Sequence, residues 1–144
     1  MNLREQIVEH LIETLKQMEY PQPVLVTREP FDVEKLAITQ YPALMVNFQT
    51  ETREQLTMGN SGLKNSTMEI QIRGFVRGKE LDTKRNELIT GIEQALEKDR
   101  ARELRDIGVR DTEVVGIEVI ERLQPLAEIS VTVEVTYLYR RTNP

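Results

Sequence analysis

From Glu128 to Tyr139 the chain alternates without a break. Ile129, Val131, Val133, Val135, Tyr137 and Tyr139 are apolar or aromatic, and Glu128, Ser130, Thr132, Glu134, Thr136 and Leu138 stand between them. A period of two puts every one of the first set on one side of an extended backbone, whereas a helix would scatter them around its circumference. The segment therefore predicts a long strand with one covered face, and the rest of the chain must supply its partners and its cover. Val115, Ile117 and Val119 alternate in the same way just before it. Opposed residues share a face, so an antiparallel register sets Val119 against Ile129, Ile117 against Val131 and Val115 against Val133, with the turn on Leu123-Gln124-Pro125. In that hairpin Val135–Arg141 outlasts its partner and needs another neighbour, in this chain or on another subunit.

A second hairpin is expected over 42–54 and 66–77, joined through Met58-Gly59-Asn60-Ser61-Gly62. Matching its apolar faces pairs Leu44 with Val76, Val46 with Gly74 and Phe48 with Ile72. It leaves Gly59-Asn60-Ser61 as the loop and puts Met45 with Phe75 and Asn47 with Arg73 on a mixed face. Residues 3–18 carry Leu3, Ile7, Val8, Leu11, Ile12, Leu15 and Met18 at helical spacing, with Asn2 as cap and Pro21 and Pro23 as stops. Val24–Thr27 reads as a short strand, and 30–41 as a connector with one turn over 33–37. Residues 81–99 give a second helix striped by Leu81, Leu88, Ile89, Ile92, Ala95 and Leu96. Glu80 and Asp82 match the positive end of its dipole, and Lys98 and Arg100 the negative end. Gly91 within it costs up to ~1 kcal/mol relative to Ala, so it marks a close approach to the sheet or nothing. A charged connector fills 100–113. The order α-β-β-β-α-β-β predicts one α+β domain over residues 1–144: an antiparallel or mixed sheet of about five strands with two helices packed on one face.

The residues exclude more chemistry than they suggest. With 39% hydrophobic and 30% charged residues the chain is globular in balance, and no apolar run approaches the ~18 residues of a membrane helix. The start MNLREQIVEH has charges where a signal peptide needs an apolar block, so the chain is expected to stay in a cytoplasm. Absence of cysteine excludes disulfides, thiolate metal sites and Cys nucleophiles, and a single histidine disfavours zinc. A net charge of −5, 5% aromatic residues and no Trp argue against a nucleic-acid coat or a base-stacking platform. His10 has no local nucleophile or orienting partner and reads as a boundary residue. Gly59-Asn60-Ser61-Gly62 is a hairpin tip, because Lys64 leads into a strand and not the helix a phosphate loop requires. Asn65-Ser66-Thr67 matches a glycosylation acceptor without consequence in a cytoplasm. Arg100, Arg102, Arg105 and Arg110 alternate with Glu97, Asp99, Glu103, Asp106, Asp111 and Glu113, so this stretch reads as a solvated or subunit-facing ion-pair segment. With 24 acidic residues, accidental carboxylate pairs are certain and carry no signal. No catalytic, metal-binding or cofactor-binding residue stands out. What remains is the hairpin arm, where Arg53, Leu56, Met58 and Leu63 are the candidate contacts to another subunit or a partner.

In element order and core pattern the chain resembles the tail terminator, or tail completion, proteins of long-tailed bacteriophages. The similarity is carried by Arg4–Lys16 (REQIVEHLIETLK), Tyr41–Val46 (YPALMV), Met68–Val76 (MEIQIRGFV), Lys84–Ile89 (KRNELI) leading to Ala95–Asp99 (ALEKD), and Val135–Tyr139 (VTYLY). It spans nearly the whole chain and includes no catalytic signature. It implies a structural protein of the virion, assembled in the host cytoplasm, that forms a homo-oligomer, most often a hexameric ring. Such a ring caps the tail tube, stops its elongation and offers a surface to the head–tail connector protein. Neither a cofactor, nor stable nucleic-acid binding, nor a membrane is implied. An acidic chain suits a ring that must pass DNA without holding it. The competing classes are a small α+β enzyme, a nucleic-acid-binding module using Arg100–Arg110, and another phage neck or head–tail joining protein.

Overall fold

A computed structural model describes residues 2–55, 63–102 and 104–140. Its centre is a pair of long antiparallel strands, β3 (Leu63–Arg77) and β5 (Leu126–Arg140), matched residue for residue from Leu63 opposite Arg140 to Arg77 opposite Leu126. β2 (Ala43–Gln55) lies antiparallel on the other side of β3, and β4 (Val109–Ile120) antiparallel on the other side of β5. β1 (Leu25–Thr27) adds a short parallel pair to the start of β2, giving one mixed sheet in the order β1-β2-β3-β5-β4. Two helices, α1 (Leu3–Lys16) and α2 (Leu81–Glu97), cover one face. This is the expected α+β architecture in the expected element order.

The covered face holds the main core. Ile7, Leu11 and Leu15 of α1 and Leu88 and Ile92 of α2 are fully buried against Leu44, Val46, Ile70, Ile72, Ile129, Val131, Val133 and Val135. Each such side chain contributes about 1.5–3 kcal/mol. Asn2 caps α1, its side chain accepting from the Glu5 amide at 2.9 Å. On the opposite face a smaller cluster covers only one end of the sheet. There the segment with 3₁₀ turns at Val33–Lys35 and Ile38–Gln40 packs Val33 and Phe31 on Ala43, Met45 and Phe75. Phe31 meets Phe75 edge-on at 5.5 Å, and the Tyr41 hydroxyl donates to the Val33 carbonyl at 2.7 Å.

Three details depart from the sequence reading. In the β2–β3 hairpin Leu44 faces Gly74, Val46 faces Ile72 and Phe48 faces Ile70, two residues from the expected register. A slide of two keeps every side chain on its face, so polarity alone does not choose between the registers. Packing does: Leu44, Ile129 and Leu88 converge on Gly74, where a Cβ would lie 2.7 Å from Leu88 Cδ2. Second, β4 begins at Val109, inside the stretch read as connector, and its covered residues are Val109, Thr112 and Val114. Irregularities at Arg110 and Val115 shift its register, so the predicted pairs Val119–Ile129 and Ile117–Val131 are present while Val133 faces Val114 in place of Val115. Val115, Ile117 and Val119 are left about half exposed at the sheet edge. Third, the last strand does not outlast its partner as expected: Val109–Thr112 of β4 pairs with Val135–Tyr137, and β3 of the same chain is the second neighbour of Val135–Tyr139.

Gly91 marks a close approach, though not to the sheet. A Cβ there would lie 2.7 Å from the Tyr20 carbonyl oxygen, in the segment that leaves α1. Helix propensity alone favours Gly91→Ala by up to ~1 kcal/mol. Because the obstacle is backbone, we expect the substitution to destabilise the protein by about 1–3 kcal/mol instead, read as a lower urea midpoint at unchanged m-value.

Candidate functional site

Two carboxylates stand apart from the other acidic residues because each is largely or wholly withdrawn from solvent and held by two arginines. The first is Glu51, on the arm formed by the far ends of β2 and β3. Gln49 is an extra residue in β2: Phe48 faces Ile70 and Thr50 faces Glu69. Without this bulge Glu51 would fall on the uncovered face; with it, Glu51 opposes Met68 on the helix side. There Arg4 Nε donates to Glu51 Oε1 at 2.8 Å, while Arg53 Nε at 2.8 Å and the Tyr137 hydroxyl at 3.0 Å donate to Oε2. Burial pushes the Glu51 carboxyl up, but donation from Arg4, the field of the buried Ser66 hydroxyl, Arg53 and Tyr137 outweigh it and hold it at about 2. The cluster ties the arm to the first turn of α1.

The second is Glu128, fully buried on the face away from the helices. Arg73 Nε reaches Oε2 at 2.9 Å and Arg122 Nε reaches Oε1 at 2.7 Å. Both guanidiniums also lie over the Phe75 ring, at 5.3 and 5.6 Å from its centroid. They line a shallow cleft of about 560 Å³ with Gln71, Leu123 and Leu126. Beyond this cluster the face is polar and bare. Gln71 donates to Ser130 at 2.9 Å. Next to it Glu69, Glu134 and Glu113 stand side by side on three adjacent strands, each directly opposed to the next. None of the three forms an ion pair with a described residue. Like charges directly opposed destabilise a sheet, so nothing in the fold's own stability calls for this row.

Between α1 and α2 lies a cleft of about 760 Å³ lined by His10, Thr14, Met18, Gly91, Ala95 and Asp99. Its groups line up as carboxylate, imidazole and hydroxyl: Asp99 Oδ2 is 3.9 Å from His10 Nε2, and Thr14 Oγ1 is 3.4 Å from Nδ1. The hydroxyl is already committed. It donates to the His10 carbonyl at 2.9 Å and accepts from Arg102 Nη1 at 3.2 Å. Arg102 is fully buried in the left-handed region at φ 54°. Its Nη2 donates to the carbonyls of Leu96, at 2.7 Å, and Asp99, closing the end of α2. The group is thus a helix-joining device. It also corrects the expectation for the basic stretch: Arg100 does pair in solvent with Asp111 and Glu97, but Arg102 is core.

Of the candidate contacts, Arg53 lies at the base of the arm, on Glu51 and over Tyr139 at 4.5 Å. Leu63 opens β3 opposite Arg140. Leu56, Met58 and the Gly59-Asn60-Ser61 loop lie outside the described residues. Sequence reasoning missed Glu51, Glu128 and the Glu69–Glu134–Glu113 row. A correct strand register would have exposed the last, since all three glutamates then share one level. Among the described residues no helix is long and apolar enough to cross a membrane. No family model and no curated protein matches the chain.

The sign of the Glu51 effect follows from its lowered value. Its stabilisation is complete above the ordinary 4.5 and is lost as pH falls toward about 2. The melting temperature of the native chain should therefore fall more steeply between pH 4.5 and 2 than that of Glu51→Gln, which lacks this titration. Parallel acid limbs for the two proteins would show that the clamp does not form.

Proposed function

We propose that this chain is a structural ring subunit, a phage tail terminator that caps the tail tube, stops its elongation and joins it to the head connector. The observation that carries the reading is the bare face of the sheet with its row of Glu69, Glu134 and Glu113. In an isolated subunit the row only costs stability. On the wall of a passage it repels phosphate, so DNA traverses the ring without adhering. The resemblance in element order supports the same reading. The ring works by shape: one face fits the last turn of the tube, and the other offers no template for a further tube subunit. Its role at the head-proximal end of the tail needs partners, a tube protein and a connector protein, and no turnover.

Tail tubes polymerised from the tube protein of the same phage should stop at a bounded length, with a ring at one end in electron micrographs, when this protein is added in excess over tube ends. Tubes whose length distribution ignores the protein would overturn the proposal. The triple change Glu69→Gln, Glu113→Gln and Glu134→Gln removes two opposed like-charge pairs, each worth roughly 0.2–1 kcal/mol. It should raise the unfolding free energy in proportion. It should also give assembled rings a salt-sensitive affinity for duplex DNA that the native ring lacks.

A further inference from the structure

The sheet ends in two unpaired edges. At one end β4 has no strand beyond it from Arg110 to Ile120; among the described residues Arg100 bonds to Asp111 and to the Thr112 hydroxyl, and no backbone–backbone bond lies along the outer side. At the other, β1 covers only Ala43–Met45 of β2, and the edge from Phe48 to Gln55 is open among the described residues. Long open edges seek a partner strand, and natural sheets blunt them unless they are used. Each edge is interrupted by a bulge, at Val115 in β4 and at Gln49 in β2, yet both still present apolar groups. β4 carries Val115, Ile117 and Val119 at 47, 47 and 52% exposure, and the β2 edge carries Phe48 at 40%.

We infer that β4 of one copy pairs with the Phe48–Gln55 edge of β2 in the next copy, continuing the sheet from subunit to subunit. Four observations on the two edges fit together. Ile117 and Val119 face the same side as Val131 and Ile129, and Phe48 the same side as Ile70, which is the helix side in every case. A sheet continued head to tail keeps its faces, so these apolar groups meet. Second, β2, β3, β5 and β4 are antiparallel in succession. With four alternating strands per copy, β4 runs opposite to the next β2, and the junction is antiparallel as well.

Third, the charges choose this arrangement over a symmetric one. Two β4 edges face to face would bring Glu113 and Glu118 of both copies together, with Arg110 as the strand's one cation. The β2 edge instead offers the uncharged run Asn47–Thr50, followed by Glu51, which is already neutralised by Arg4 and Arg53, so Glu54 is its one unpaired acid among the described residues. Fourth, the alignment suits closure. Phe48 lies level with Ile70, Val133 and Val114, and Ile117 with Val131, so seating Phe48 opposite Ile117 takes a stagger of two levels, counting Val115 as the extra residue of the β4 bulge. A stagger of this kind is the shear that a closed sheet requires, and a heterologous contact that closes makes a ring. The inference deepens the ring reading above, but it concerns the contact between copies and stands or falls without a tail.

The chain has no cysteine, so an engineered pair reports one contact cleanly. In the full chain carrying Phe48→Cys and Ile117→Cys, mild oxidation with copper phenanthroline should give a ladder of covalent multimers ending at the ring. Each single variant should stay uncrosslinked. In the otherwise native chain, Ile117→Lys with Val119→Lys should weaken self-association at least tenfold by sedimentation velocity while leaving the thermal melt in place. A dimer from Ile117→Cys alone would replace the inference with symmetric β4 pairing. Absence of a ladder, or a native chain monomeric at every concentration, would overturn it. Failure of tube capping with an intact ladder would instead remove the tail function and keep the interface.

Discussion

The pairing of β3 with β5 over fifteen matched residues is the constraint on which the molecule depends. Both strands are flanked on each side, by β2 and β4, so their backbone groups are satisfied along their length. Their helix-side residues, Met68, Ile70 and Ile72 with Val131, Val133 and Val135, form the floor on which α1 and α2 rest. Even the Glu51 clamp borrows Tyr137 from this pair. The outer strands are built to a looser standard. β1 is three residues long, and β2 and β4 each break register at a bulge.

The carboxylates fall into two groups by environment, and the division follows the faces of the sheet. Glu128 is buried and Glu51 nearly so, and each collects two guanidiniums, which offsets the cost of removing charge from water. Glu69, Glu113 and Glu134 share an open face and collect none from the described residues. The first group stabilises the chain and fixes the arm and the Arg122 loop. The second opposes stability, since like charges stand directly opposed across neighbouring strands. The net charge of −5 reports neither arrangement, since it sums over both.

Much of this protein was legible in its sequence, and for one reason: periodicity states how many sides of an element meet water. The alternation through Ile129–Tyr139, the stripe from Ile7 to Leu15 and the stripe from Leu88 to Leu96 fix two helices and the long strands, their order and the face that each buries. The same alternation restricts each hairpin register to slides of two. It goes no further, because registers two residues apart bury the same faces. Only the fit of Leu44, Leu88 and Ile129 around Gly74 selected one of them. Bulges are invisible to a pattern of two, and the one at Gln49 decided that Glu51 joins Arg4 and Tyr137, residues 47 and 86 positions away. Arg102 reads as a surface charge among charges, and three-dimensional packing alone made it the closure of α2. The sequence by itself determined which apolar stripes of the helices and long strands turn inward, because that follows from residue type and spacing. The tertiary structure decided what each charge touches and which edges stay open, because those depend on distances between segments that no local pattern contains.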